Sequence, residues 1–189
     1  MDEVDQKIVS KLQLDGRTTL KELGELTGYT SMGIKNRLEG LQKRRILKVS
    51  ALLNIESLNL TGAIVMIEIE SAEAMNNLLE RFRNCPRVVH IFTTLSGYNI
   101  IALIVAENET TLESISVEKC SLRSSEGIRR SEFYPLGNIH YPHFLPVREY
   151  LTHKEKKISP CNVDCGSCQR YESRKCVGCP TTQYYKGIL

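Results

Sequence analysis

Five of the chain's seven cysteines lie between positions 161 and 179, in the order Cys161-x3-Cys165-x2-Cys168-x7-Cys176-x2-Cys179. Two C-x-x-C pairs joined by a short loop can bring four thiolates to a tetrahedron around zinc, each sulfur about 2.3 Å from the ion. Gly166 and Gly178 stand inside the pairs, where backbone amides must turn toward sulfur and a side chain would interfere. The fifth thiol keeps a second chemistry open, because C-x3-C-x2-C is also a spacing that holds a four-iron cluster, with Cys176 or Cys179 as the fourth ligand. Zinc is the expected metal and an iron–sulfur cluster the alternative.

The compartment supports metal over disulfides. The start, MDEVDQKIV, is acidic where a secretory signal would be basic and then apolar, and no run of about 18 apolar residues could span a bilayer. A cytoplasmic protein with no membrane segment is expected, and reducing thiol pools there make structural disulfides rare. Five is also an odd number. The cysteines occupy only about 30 residues, too few to bury a core, so a metal is expected to supply much of the tail's folding free energy. The stretch before them, NIHYPHFLPVREYLTHKEKKISP, reads as a connector rich in Pro, His and charge. His140, His143 and His153 within it have no partners at fixed spacing and are not assigned as ligands.

The 189 residues leave room for other units, and their 41% hydrophobic and 25% charged content is that of a globular protein. In the N-terminal region Val4, Ile8, Val9 and Leu12 recur at helical spacing before the turn signal Asp15-Gly16. A second helix carries Leu20, Leu23 and Leu26 after the caps Thr18 and Thr19, and Thr27-Gly28-Tyr29 breaks it. A third follows Thr30, with Ile34, Leu38 and Leu41 on its apolar face. This is a helix-turn-helix, and Ile46 to Leu53 alternates enough to add a strand and make it winged. The net charge of +3 names no partner, but between residues 31 and 50 Lys35, Arg37, Lys43, Arg44, Arg45 and Lys48 face the single acid Glu39. That local excess suits contact with nucleic-acid phosphates.

The middle region alternates elements differently. A β-branched strand over 61–70 precedes a helix that Ser71 caps and Pro86 must end. Strands over 88–95 and 99–106 flank the turn Ser96-Gly97-Tyr98, a weaker helix covers 110–121, and a strand over 127–135 closes the unit. The order βαββαβ is ferredoxin-like. His90 is isolated and Glu68 and Glu70 share one solvated face, so no catalytic constellation is present and an enzyme is not expected.

The order Asp5, Ile8, Leu12, Asp15-x-Arg17, Leu20-x-x-Leu23, Gly28, Thr30, Ile34-x-x-Arg37-Leu38, Leu41, Ile46, Asn54 and Leu58 resembles the leucine-responsive regulator (Lrp/AsnC) family of transcription factors. The likeness extends to about residue 137. It implies that the helix from Thr30 to Leu41 enters the major groove of double-stranded DNA, with Ser31, Met32, Lys35 and Asn36 near bases and Arg37, Lys43, Arg44 and Arg45 nearer phosphates. It also implies a homodimer or a higher homo-oligomer such as an octamer. Gly33 departs from the family's usual Thr, and Arg45 from a common Gly. Gly33 should soften the helix by about 1 kcal/mol relative to Ala. The family's effector loop, usually Gly-x-x-Asp, corresponds to Ser96-Gly97-Tyr98-Asn99, where an amide replaces the acid that would meet an amino-acid ammonium. A small-molecule effector is therefore left open. The tail itself is similar to small cysteine-rich modules that carry no assigned activity.

The sequence thus predicts an α+β protein: a winged helix-turn-helix over 1–58, a ferredoxin-like dimerisation and regulatory domain over 59–137, a linker over 138–157 and a cysteine metal module over 158–189. The expected function is DNA-binding transcription regulation, with the cysteine cluster as a metal or redox sensor. The alternative is a structural zinc module that docks a protein partner.

Overall fold

Oxygen acceptors placed one residue ahead of an apolar stripe set the starts of the N-terminal helices. The computed structural model describes residues 1–141, 143–147 and 155–189, and the chain divides into two compact units, Met1–Ala51 and Leu52–Leu189. In the first, α1 (Glu3–Leu14) is capped by Asp2, whose carboxylate accepts from the Asp5 N–H at 2.8 Å while the Asp5 side chain accepts from the Asp2 N–H. A second reciprocal box, Thr19 with Glu22, starts α2 (Leu20–Thr27), which ends at Gly28 in the left-handed region. Thr30 caps α3 (Ser31–Lys43) by accepting from the Gly33 N–H. Ile8, Leu12, Leu23 and Ile34 form the core of this unit. The turn between α2 and α3 is tight because of Gly24, where a Cβ would lie 2.6 Å from the Tyr29 carbonyl oxygen.

The expected wing is not formed. Residues 46–52 hold no strand, and Leu53–Asn54 (β1) pairs instead with Phe144–Leu145 (β6) in the second unit. The reason lies at the end of α3: Arg45 adopts a φ of 56° and the Ile46 N–H returns to the Leu41 carbonyl, closing the helix. The chain that leaves this cap has no second strand in the first unit to pair with, and alternation without a ladder partner makes no sheet.

The second unit follows the predicted order: β2 (Thr61–Ile69), α4 (Ala72–Phe82), β3 (Val88–Thr93), β4 (Ile100–Ala106), α5 (Glu109–Val117), a 3-10 turn over Leu122–Ser124, and β5 (Ile128–Pro135). The sheet is antiparallel in the order β3-β4-β2-β5, so the first strand in sequence lies inside the sheet, as a ferredoxin-like fold requires. Ala63, Val65, Ile67, Ala102 and Ile104 point to one face and are covered by Leu78 and Phe82 of α4 and by Leu112 and Ile115 of α5. Burying each of the larger side chains contributes about 1.5–3 kcal/mol. The opposite face carries the cross-strand neighbours Ile64 and Leu103, Met66 and Ile101, and Ile101 and Phe92; the first four are half-buried and Phe92 is exposed.

The cysteine tail belongs to this second unit. Cys161 is part of its main core, Val163 packs against the same core, and a single helical turn, α6 (Gln169–Glu172), lies between the cysteine pairs. Neighbouring sheet-domain groups therefore supply the burial that the tail's length alone could not. His153 lies outside the described residues. His143 faces Glu56 at 3.6 Å.

Candidate functional site: the helix-turn-helix and the thiol cavity

Two places carry chemistry. The first is α3, where the apolar face fixes which residues look outward. Ile34 and Leu41 are buried, so Ser31, Met32, Lys35 and Asn36 are exposed on its first two turns, with Met32 64% accessible. Lys35 pairs loosely along the helix with Glu39 at 3.8 Å, and both are exposed. Lys43, Arg44 and Arg45 are exposed at the other end. Arg37 is held within the first unit. Its guanidinium donates to Asp2 at 2.7 Å and to Asp5 at 2.9 Å and lies 4.9 Å over the Tyr29 ring. Asp5 is buried, so Arg37 ties α3 to the N-terminus of α1. Arg44 lies 3.9 Å from the same Asp5.

The loop at 96–99 is knitted into the sheet. Asn99 accepts from the Ile69 N–H at 2.9 Å and donates to the Ile69 carbonyl at 2.8 Å, extending the β2–β4 ladder past its last pair, Ile67 with Ile100. Tyr98 donates its hydroxyl to Glu132, and Arg130 lies 4.4 Å over its ring while pairing with Glu68 at 2.7 Å. Ser96 donates to the Tyr98 carbonyl at 3.2 Å, and a Cβ on Gly97 would come 3.1 Å from Arg130. The amide that replaces an acid in the sequence comparison is therefore a structural group.

The second place is a cavity of about 50 Å³ beneath α4 and α5, and all seven cysteines line it. The sequence pointed to Cys161, Cys165, Cys168, Cys176 and Cys179. Cys85 and Cys120, missed because neither has a cysteine at ligand spacing, reach the same space from the turns after α4 and α5. All seven are free thiols. Among the described residues, no group of three or more His, Cys, Asp or Glu side chains is arranged to hold a metal ion, so the thiols ring a space and do not converge on a point. Burial pushes the Cys85 thiol up to about 12 and Cys165 to about 11, and raises Cys120, Cys161 and Cys176 as well. Neighbouring thiols add to each rise, so these groups carry protons at neutral pH when nothing is bound.

Both glycines inside the cysteine pairs meet Tyr184. A Cβ on Gly166 would lie 2.6 Å from its ring, and one on Gly178, whose φ is +86°, would lie 3.0 Å from its carbonyl oxygen. The Cys168 N–H returns to the Cys165 carbonyl to close the first turn. Polar contacts fasten this cysteine framework to the helices and sheet. Arg87, buried against Glu107, donates to the Gly178 carbonyl at 2.7 Å, and Tyr185 donates to the same Glu107 at 2.5 Å. Arg81 donates to the Cys161 carbonyl at 3.4 Å, Ser114 to the Lys175 carbonyl at 2.8 Å, and Arg170 pairs with Glu113 at 3.1 Å.

Comparison with known proteins bears on the first place. Residues 1–42 match the AsnC-type helix-turn-helix domain. The HTH-type transcriptional regulator FL11 of Pyrococcus furiosus is 25% identical over 129 residues, covering 67% of this chain and 85% of that one. An uncharacterized HTH-type transcriptional regulator of the same organism, PF0054, is 38% identical over 82 residues, covering 43% of this chain and 52% of its own. Among solved structures, PH0061 has a TM-score of 0.68 at 21% identity, covering 74% of this chain and 95% of that one. AsnC of E. coli has a TM-score of 0.63 at 18% identity, with coverages of 74% and 93%. Residues 1–42 thus match the AsnC-type helix-turn-helix domain, and the chain has an α+β fold like that of the solved AsnC structure.

Proposed function

We infer that the chain recognises a specific sequence in double-stranded DNA through the first two turns of α3 and does so as a homodimer or larger homo-oligomer. The observation that carries this reading is the division of α3 into a buried apolar face and an exposed face bearing Ser31, Met32, Lys35 and Asn36. Side chains at the start of a recognition helix reach base edges, whereas Lys43, Arg44 and Arg45 at its end suit the phosphate backbone. The half-buried apolar sheet face of Ile64, Met66, Ile101 and Leu103 supports assembly, since a second copy could cover it.

The reading is tested with full-length protein and an operator selected from a random DNA pool. Replacing Lys35 and Asn36 together by Ala should reduce the preference for operator over random DNA by at least tenfold and leave the oligomer unchanged. Replacing Arg44 and Arg45 by Ala should weaken binding to all DNA and lower the salt slope by about one per lost phosphate contact. Equal losses in both variants would overturn this division of labour.

The tail reads as a thiolate metal centre, with zinc as the first candidate and an iron–sulfur cluster as the second, that makes DNA binding responsive to metal. Its support is the pair of C-x-x-C turns with glycines seated against Tyr184, beside a cavity under the helices that back the sheet. Because Gly178, Cys161 and Lys175 are all held by side chains of the sheet domain, the tail suits internal coupling better than capture of another protein. An amino-acid effector at 96–99 is disfavoured, since Asn99 is already engaged on both sides of its amide.

A further inference from the structure

We propose that Cys85 and Cys120 are ligands of the same centre as the tail cysteines, so that the sheet domain and the tail together hold a polynuclear metal–thiolate cluster. This rests on the reading of the tail as a metal centre and extends it to two residues with no motif of their own.

Three observations converge. All seven of the chain's cysteines line one cavity, although Cys85 and Cys120 come from separate turns of the sheet domain. Four thiolates saturate a tetrahedral ion. Three further thiols around the same space exceed what one zinc ion can use, whereas a cluster with two or more metal atoms can share them. The size of the space agrees. A cavity needs about 10–15 Å³ to admit a single water, and this one, at about 50 Å³, has room for several atoms.

The elements that bear the thiols are also fixed relative to one another. Cys85 sits in the turn after α4, its N–H held by the Phe82 carbonyl at 3.0 Å and its carbonyl by the Val88 N–H at 3.3 Å. Two residues later, Arg87 reaches across to the Gly178 carbonyl and holds the Cys176–Cys179 turn against the cavity. Arg81 of α4 does the same for Cys161 through its carbonyl. Cys120 lies between α5 and the 3-10 turn, and Ser121 beside it caps that turn by accepting from the Arg123 N–H at 3.0 Å. Closure of the seven thiols on a cluster would lock the tail to α4 and α5.

The alternative is that Cys85 and Cys120 are small apolar core fillers. The two readings separate on metal content. Full-length protein is purified without oxygen, and metal and acid-labile sulfide are counted per chain for the wild type, for Cys85→Ala/Cys120→Ala, and for Cys165→Ala/Cys176→Ala. Alanine keeps both core positions apolar, and apo-protein melting curves identify any variant that fails to fold. The proposal expects more than one metal atom per wild-type chain, present as several zinc ions or as iron with sulfide. The Cys85→Ala/Cys120→Ala protein should lose at least one atom per chain or bind at least tenfold more weakly.

One metal atom per wild-type chain, or unchanged content and affinity in that variant, would overturn the proposal and leave a metal centre confined to the tail. If the wild type takes up no metal even on reconstitution with zinc or with iron and sulfide, the metal reading of the tail falls too. If the apo Cys85→Ala/Cys120→Ala protein does not fold, the single Cys85→Ala and Cys120→Ala proteins take its place, with loss of metal or of affinity in either supporting the proposal and unchanged content and affinity in both overturning it.

Discussion

The two units are held together in different ways. In Met1–Ala51 most of the order is local: capping boxes span three residues, helix ends close on their own turns, and the polar links of Arg37 to Asp2 and Arg44 to Asp5 span 35 and 39 residues. In Leu52–Leu189 the cysteine end is fastened by links of 61, 80 and 91 residues, from Ser114 to Lys175, Arg81 to Cys161 and Arg87 to Gly178. Local contacts are written in adjacent residues and can be read from them. Distant ones depend on the whole fold and leave no local signature.

The largest effect that would test this contrast is at Arg87. Replacing it by Met strips Glu107 of its charged partner in a buried setting, and breaking such a pair costs about 3–5 kcal/mol. Amide exchange should report loss of protection through β3, β4 and the tail, while a second change, Glu107→Leu, should restore part of it. Retained protection in the tail would mean that the long-range links matter less than the contrast requires. Gly166→Ala should follow at about 1–3 kcal/mol, because its Cβ overpacks against the Tyr184 ring. Denaturant unfolding of the second unit measures it, and a paired Tyr184→Leu change should relieve it.

The smallest effect is in pH. Backbone and side-chain hydrogen bonds hold Asp2 below its ordinary 3.8 and Glu22 below its ordinary 4.5. Their contribution is present above those values and fades as pH falls through the depressed folded values, so the first unit should soften in acid. Tyr185 runs the other way: burial and Glu107 raise it above its ordinary 10.0, so the stability it contributes is present below pH 10 and fades as pH rises further. Residue-resolved titration should therefore place acid lability at α1 and α2 and alkaline lability at the tail; coincident loss in both units would contradict this.

Legibility in the sequence follows the same line. The helix starts at Thr19, Thr30 and Ser71 and the βαββαβ order could be read, since each rests on residues within a few positions of one another. One local reading changed. The alternation after Ile46 suggested a wing, but alternation describes only one strand and cannot supply its partner, which lies at Phe144–Leu145. The pairing of Arg37 with Asp2 and Asp5 could not be read, because it depends on how α1 and α3 pack. At the thiol site the five clustered cysteines could be read from spacing. Cys85 and Cys120 could not, because only the packing of α4 and α5 brings their turns to the cavity.

Tyr184 has an optical consequence. The chain has no tryptophan and eight tyrosines, so its intrinsic fluorescence is tyrosine emission alone. The Tyr184 ring stands edge-on to Tyr171, with centroids 5.9 Å apart, and touches the backbone of one cysteine turn while its own carbonyl touches the other. Any event that moves either turn alters the surroundings of this ring pair, which gives the cysteine end of the molecule a built-in reporter without an added label.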